Sequence, residues 1–285
     1  MLKPAVSIIV LTMGDRPLDV DAMVASFAGQ QPFDGVLIGN GVEPPTYPGW
    51  RSVAVETNLG ISAGRAFGAS TAQGELLAFI DDDALNLTPT SLTDVQAAFD
   101  ADPSLGAIAM RLVVEGTDHS LSEWQPRIRG RGEKVPGDVT SFQGAAHVIR
   151  ADLYHQVGGY ADNFWYGHEE TDLAWRVLDA GYRIAYRPDL VVSHPMTKPS
   201  RHHKYLWFSA RNRIWLARKH LPIAMAALYV VIWLAIQLLR CRSLSDVKGV
   251  LAGSWAGVRN SPDYRRPMSW RTVWAMTRLG RPPLI

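Results

Sequence analysis

Three consecutive carboxylates, Asp81-Asp82-Asp83, end the apolar run Leu76-Leu77-Ala78-Phe79-Ile80. Five apolar residues in a row read as a buried strand, too short for a helix. Like charges crowded on the rim of a buried sheet repel one another unless a cation neutralises them, and carboxylate oxygens suit hard divalent ions such as Mg2+ or Mn2+. A second acidic group, His168-Glu169-Glu170-Thr171-Asp172, opens a stretch running to Ala180, with Leu173, Val177 and Leu178 on one helical face. Carboxylates in a first helical turn favour the helix dipole, which accounts for one or two of the three. Glu169 or Glu170 can also take the proton from an attacking hydroxyl. His194, just before Pro195, can complete a metal shell with Asp81 and Asp83. A diphosphate leaving group needs that kind of charge neutralisation as its bond breaks.

The elements that must position these groups alternate. Val6–Leu11, Val36–Ile38, Val53–Val55 and Leu76–Ile80 read as short buried strands, with helices predicted over 18–28 and after the Gly-punctuated loop Asn58–Gly68. Strands alternating with helices argue for βαβ units, an α/β fold and a mostly parallel sheet, whose ligands sit outside the carboxyl ends of the strands. Thr12, Asn40, Asn58 and Asp81–Asp83 all fall at such ends. Gly60, Gly64 and Gly68 let the backbone approach a nucleotide, and Arg65 supplies charge. Further on, the spacing predicts a helix over 91–101, a strand over 107–114, a long loop from 115 to 139, a helix over 151–157 and two short strands, 182–186 and 190–192. No Gly-Lys-Ser/Thr run makes a P-loop, and no G-x-G-x-x-G follows the first strand. Nucleotide-diphosphate sugar chemistry is what remains.

These motifs together resemble the inverting family 2 glycosyltransferases of GT-A fold, near the bacterial rhamnosyl- and galactofuranosyl-transferase-like members. The resemblance runs from about Val6 to about His220. It is carried by the opening strand Val6–Thr12, by Asn58-Leu59-Gly60…Gly64-Arg65, by Ile80-Asp81-Asp82-Asp83-Ala84 as the DxD motif, by Gln143-Gly144-Ala145-Ala146, and by His168–Arg176 as the motif holding the base. It implies a donor site of Thr12, Asn40, Asn58, Gly60, Arg65, Asp81 and Asp82, and a metal held by Asp81, Asp83 and His194. On the acceptor side it implies Gly144, Ala145 and Asp172, and the aromatic residues Trp165, Tyr166 and Trp124 are candidates for stacking on the acceptor sugar. Glu170 falls where the family's catalytic Asp sits, with Glu169 before it. Gly39 stands where relatives often carry an Asp that contacts the nucleotide base, so the choice between UDP- and dTDP-sugars stays open.

The chain divides by charge. Residues 1–200 carry 14 Lys/Arg against 25 Asp/Glu, a net of −11; residues 201–285 carry 15 against 2, a net of +13, with six of the ten Trp. The expected organisation is a transferase domain over 1–200 and a basic, Trp-rich helical membrane-binding region over 201–285. Leu221–Leu239 is 19 residues without a charge, long enough as a helix to cover roughly 28 Å of a bilayer. Basic residues on both flanks oppose a span under the positive-inside tendency and favour helices lying in the interface, against anionic lipid. That places the protein on the cytoplasmic face of a bacterial plasma membrane, peripheral or re-entrant, with a lipid-linked or cell-envelope saccharide as acceptor. Homo-oligomerisation is left open. Cys241, the single cysteine, excludes an internal disulfide and a Cys-based zinc site. Two other readings share the acidic site: a sugar-phosphate nucleotidyltransferase, for which Met13-Gly14-Asp15-Arg16 is a poor loop, and an inactive sugar-nucleotide-binding scaffold. A nucleic-acid binder has only the basic tail in its favour, and the tail's apolar run favours lipid.

Overall fold

A computed structural model describes residues 5–126, 132–196, 204–260 and 262–284. Strand β1 (Val6–Thr12) is buried nearly throughout, as its unbroken apolar run requires, and α1 (Pro17–Ser26) starts on a proline, whose missing N–H is no loss in a first turn. Strands β2 (Asp34–Asn40), β3 (Trp50–Val55) and β4 (Leu76–Asp81) follow, with α2 (Gly60–Thr71) between the last two. Then come β5 (Leu85–Asn86), α3 (Ser91–Ala101), β6 (Leu105–Val114), β7 (Gly137–Val139), β8 (Ala146–Arg150), α4 (Ala151–Gln156), α5 (Glu169–Asp179) and β9 (Arg183–His194).

One sheet runs β3-β2-β1-β4-β8-β6-β9-β5, with β7 on β9. The half that holds the acidic triplet is parallel, β3 to β4, and its register sets Leu11 beside Asp81 and Thr12 beside Gly39. Beyond β4 the expectation of a mostly parallel sheet gives way. Strand β8 lies antiparallel to both neighbours, and β5 and β7 antiparallel to β9, so four of the eight pairings among the described strands are antiparallel. The strands expected over 182–186 and 190–192 are one strand, irregular after Arg187. Pro188 lies in that irregularity, and a proline cannot donate to a ladder. The predicted long loop contains β7, and its residues 127–131 lie outside the described ones.

Helices cover both faces. Val20, Met23, Leu92, Val95 and Phe99 of α1 and α3 pack on one; Ala69, Leu153, Leu173 and Val177 of α2, α4 and α5 pack on the other. A third cluster crosses from this body into the tail: Phe164 and Trp175 pack with Trp215, Leu216, Tyr229 and Met276. These last belong to α6 (Tyr205–His220), α7 (Ile223–Arg240) and α9 (Trp270–Arg278).

The remaining helix, α8 (Leu244–Arg259), lies on α6 through Gly249, Gly253 and Gly257, spaced one turn apart. A Cβ on Gly253 would sit 2.2 Å from the Trp207 carbonyl oxygen, and one on Gly257 2.9 Å from that of Arg211. Alanine in a helix interior is worth about 1 kcal/mol over glycine. Here the overlap with rigid backbone wins. Gly253→Ala is expected to destabilise the protein by about 1–3 kcal/mol, the usual cost of overpacking; a thermal unfolding midpoint above that of wild type would contradict this contact.

Helix α7 is long and apolar enough to cross a membrane by length and composition. Ile223, Val231 and Leu239 on it are 80%, 65% and 86% exposed, and Trp255, Trp270 and Trp274 of α8 and α9 are exposed too.

Candidate active site

The sheet register delivers Thr12, Asn40 and Asp81 to one edge. Asn40 and Asn58 bind each other there: the Asn40 amide donates to Asn58 Oδ1 (3.0 Å) and its Oδ1 accepts from Leu59 N (2.8 Å). The result is the turn that starts α2 at Gly60. Gly60 has φ +79°, and a Cβ on it would fall 2.7 Å from the Trp165 ring, so this position takes only glycine without strain. Arg65, one turn further, is 4% exposed and donates to Asp81 (2.6 Å). Its guanidinium lies against Gly144, where a Cβ would come within 2.8 Å of Nη1, and the Ala145 carbonyl accepts from Asp81 N (3.0 Å). Gly144 and Ala145, expected on the acceptor side, shape the seat of Arg65 and Asp81.

Asp81, Asp83 and His194 offer ligand atoms within 4.8 Å of one another. His194 Nδ1 lies 2.8 Å from the Pro195 carbonyl, which can only accept, so this nitrogen carries the proton in the neutral ring. Nε2 then turns a lone pair towards Asp83 Oδ1 (3.2 Å) and Asp81 Oδ2 (3.8 Å). Lone pairs facing lone pairs want a cation between them, so two carboxylates and an imidazole fit a divalent ion. Trp124, expected at the acceptor, packs edge-on against the His194 ring, centroids 5.4 Å apart.

The sequence reading missed Arg16 as part of this site. It donates to Asp82 (2.7 Å) and to Asp83, so the acidic triplet carries two arginines, Arg16 and Arg65. The signal was its place directly after β1, the neighbour of the strand that ends in Asp81. Burial would raise the Asp81 pKa, but the Arg65 guanidinium bonded to it outweighs that and holds this carboxyl well below the usual range. Burial pushes Asp82 up to about 6 despite Arg16, and its Oδ2 is buried without a partner. Met13, Arg16, Asn58, Arg65, Asp81 and Trp165 are among the residues lining a cleft of about 390 Å3 over this edge.

The second acidic group stands on the far side of a short loop. Trp165 and His168 have φ of 62° and 71°, unusual for residues with side chains. Helix α6 fixes them from below: the Asn212 amide donates to the carbonyls of Phe164, Tyr166 and Gly167 (3.0, 3.0 and 2.7 Å), and Arg211 donates to those of Asn163 and Phe164. Successive residues of the following helical turn then point apart. Glu169 is 4% exposed and faces Arg65 at 3.4 Å, with its other oxygen unpartnered. Glu170 instead lines a separate cavity of about 190 Å3. Burial pushes Glu169 up to about 8, with the Glu170 charge adding to it, and burial raises Glu170 as well.

Asp172 is not where an acceptor could reach it. It is fully buried, accepting from Arg176 (2.5 Å) and His220 (2.7 Å), with Lys219 Nζ at 3.0 Å. Burial alone would raise its pKa; Arg176, His220 and Lys219 drive it far below the usual range instead. Trp165 does face the cleft, 39% exposed, and stacks on Phe208 of α6. A larger cavity, about 970 Å3 and lined by Tyr154, Arg176 and Tyr264, shares no lining residue with either carboxylate site, so size alone does not locate the chemistry.

Residues 41–158 match glycosyl transferase family 2, and residues 130–203 match the N-terminal domain of galactosyltransferase. The pre-mycofactocin glycosyltransferase of Mycobacterium tuberculosis is 30% identical over 173 residues, which cover 56% of this chain and 33% of that protein. The chain therefore spans about a third of the length of that relative. Among solved structures, TarS of Staphylococcus aureus superposes with a TM-score of 0.62 at 14% identity, over 95% of this chain and 50% of that one. The mannosyltransferase PcManGT of Pyrobaculum calidifontis, in complex with GDP-Man and Mn2+, gives 0.55 at 16% identity, over 98% and 74%. At these identities the structural likeness is one of fold. The narrower likeness to rhamnosyl- and galactofuranosyl-transferases rests on the sequence alone.

Proposed function

We propose that this chain, whose sequence matches the family 2 glycosyltransferases and whose fold is GT-A, moves a sugar from a nucleotide-diphosphate donor, a UDP- or dTDP-sugar, to a saccharide hydroxyl with inversion. The observation that carries this reading is the pairing of two acidic sites across one loop, a carboxylate–imidazole cluster on one side and Glu170 in a cavity on the other. Asp81, Asp83 and His194 would hold Mg2+ or Mn2+, which when bound neutralises the departing diphosphate. Arg16 and Arg65 add fixed positive charge at the same edge. Asn40, Asn58, Gly60 and Thr12 shape the nucleotide's side of the cleft, and Trp165 forms its wall.

Glu170 accepts the proton of the attacking hydroxyl. The hydroxyl oxygen bonds to the anomeric carbon from the side opposite the nucleotide, and the electron pair of the breaking C–O bond leaves on the diphosphate. Glu169 acts on Arg65 and is a positioning residue in this scheme. The base is assigned to Glu170 because Glu169 is turned to Arg65 while Glu170 lines a cavity.

The exposed apolar faces of α7, α8 and α9, set among basic residues, support attachment to anionic lipid at the cytoplasmic face of a bacterial plasma membrane, and a lipid-linked or cell-envelope acceptor. Calorimetric titration with UDP tests the donor half of the reading. UDP is expected to bind in the presence of Mn2+ and to lose about tenfold or more in affinity on chelation or in His194→Ala, since a divalent ion held by Asp81, Asp83 and His194 would supply charge that favours the diphosphate. UDP binding that ignores both metal and His194 would overturn the metal assignment.

A further inference from the structure

The cavity that holds Glu170 is built only half from the sheet domain. Thr140 and Glu170 come from it; Arg213 of α6, Trp233 of α7 and Arg281 after α9 close the other half. The segment after α9 is fastened in place, with Arg281 donating to Ser141 Oγ (2.6 Å) and the Leu284 carbonyl accepting from Trp233 Nε1 (3.1 Å). Arg213 donates to the Tyr229 hydroxyl (3.1 Å) and lies over the Trp233 ring, 3.4 Å from its centre.

Arg213 and Arg281 act on Glu170 across this cavity, lowering its pKa against burial, without closing an ion pair at contact distance. Neither arginine makes an ion pair among the described residues; their recorded partners are hydroxyls and a ring. Arg213 Nε is buried without a hydrogen-bond partner. Thr140, 2% exposed, likewise has a buried Oγ1 with none. Two half-buried cations against one carboxylate suit a ligand that is rich in hydrogen-bond acceptors and negatively charged. His168, on the same wall, is pushed well below its ordinary pKa by burial and adds no charge, and Glu123 lies on the exposed rim.

We infer that this cavity is the acceptor subsite, and that it takes a sugar carrying an anionic oxyacid group, a phosphate or a carboxylate. Arg213 and Arg281 hold the anion; Glu170 faces the neighbouring hydroxyl, and Trp175 and Trp233 supply apolar walls. This rests on the transferase reading. It goes beyond it in naming the acceptor's charge and in making the helical tail half of the acceptor site. Because Trp233 and Tyr229 lie on α7, whose outer face is apolar and exposed, a phosphate linking the sugar to a lipid would leave the cavity beside the helix suited to a bilayer.

The test uses the full chain and three probes, glucose, glucuronate and glucose 1-phosphate, with dissociation constants measured by ligand-observed NMR. UDP and dTDP, each with Mn2+, are titrated in the same samples. At least one anionic sugar is expected to bind about tenfold tighter than glucose, the worth of one charge-assisted hydrogen-bond pair. That advantage should vanish in Arg281→Gln and in Arg213→Gln and survive in Arg281→Lys. Preference for the phosphate alone points to a phosphate-linked acceptor, and preference for both to an anion of either kind. Equal binding of the three sugars, or an anion advantage that persists in both Gln variants, overturns the inference. Failure of the two readings is separable: nucleotide binding without anion preference refutes only the acceptor assignment, whereas anion preference with binding of neither UDP nor dTDP refutes the transferase reading and leaves an anion site with no acceptor role.

Discussion

Replacing Glu170 by Gln is expected to lower sugar transfer by about 10²–10⁴-fold, the range that a positioned general base supplies, while leaving UDP binding close to wild type. Gln preserves the size of the side chain and removes its ability to take a proton. The donor cleft should not register the change, because Glu170 is absent from its lining and belongs to the other cavity. The pH profile carries the same signature. Burial raises the Glu170 pKa, and a base works deprotonated, so kcat/KM should rise with pH along a limb above the ordinary carboxylate value near 4.3. In Glu170→Gln that limb should flatten. Glu169→Gln should behave otherwise. It alters the second, longer contact of Arg65, whose closer partner is Asp81, so it is expected to weaken nucleotide binding, which Glu170→Gln spares. A reversed pattern would move the base to Glu169.

Asp172→Asn is expected to cost about 3–5 kcal/mol of stability, the usual penalty for stranding buried charge, and so to lower the unfolding midpoint by about 10 °C. Asp172 is fully buried, and Arg176, Lys219 and His220 converge on it. Lys219 makes no other ion pair among the described residues; its ammonium lies 5.0 Å from the Phe164 ring centre and 4.5 Å from that of Tyr264. The bond network joins α5 to the end of α6, so its loss also frees the helix whose Asn212 supports the loop before Glu169. The pH dependence follows from the sign of the shift. Asp172 has a depressed pKa in the folded protein, so its contribution is fully present above the unfolded carboxylate value near 3.9 and is lost as pH falls towards the folded one. The gap between wild type and Asp172→Asn should therefore stay constant from about pH 5 to 8 and narrow in acid. Coincident unfolding curves for the two proteins at neutral pH would remove this network from the account.

The parts of this site legible from sequence were those whose signal is local. The Asp81–Asp83 triplet follows an apolar run, Glu169 and Glu170 open a periodic helix, and His194 ends a strand; type and spacing are enough for each. Asn40, Asn58 and Gly60 were legible as strand ends and turn residues, though the structure shows the two amides bound to each other, shaping the turn. What was not legible depends on contacts between distant positions. Arg16 reaches residues 66 and 67 places away, and Asn212 supports carbonyls 45 to 48 places before it. Asp172 looked like its acidic neighbours because a helical pattern does not reveal that Lys219 and His220 arrive from another helix. The antiparallel β8 was hidden for the same reason, since nothing in the composition of Ala146–Arg150 marks its direction, which is set by the chain that comes before it. Residues 201–285 showed their charge and their membrane-like run, but not that Arg213, Trp233 and Arg281 wall the cavity of Glu170.

The measurement that bears most directly on the central claim is nucleotide-diphosphate release. Wild type and Glu170→Gln would be incubated with UDP-, dTDP- and GDP-sugars, Mn2+ or Mg2+, and a bacterial lipid extract as acceptor. The account predicts acceptor-dependent release from a UDP- or dTDP-sugar by the wild-type protein, abolished by chelation and reduced to background in Glu170→Gln. Release by Glu170→Gln at the wild-type rate, or no release from any donor by a wild-type protein that binds UDP with Mn2+, would contradict it.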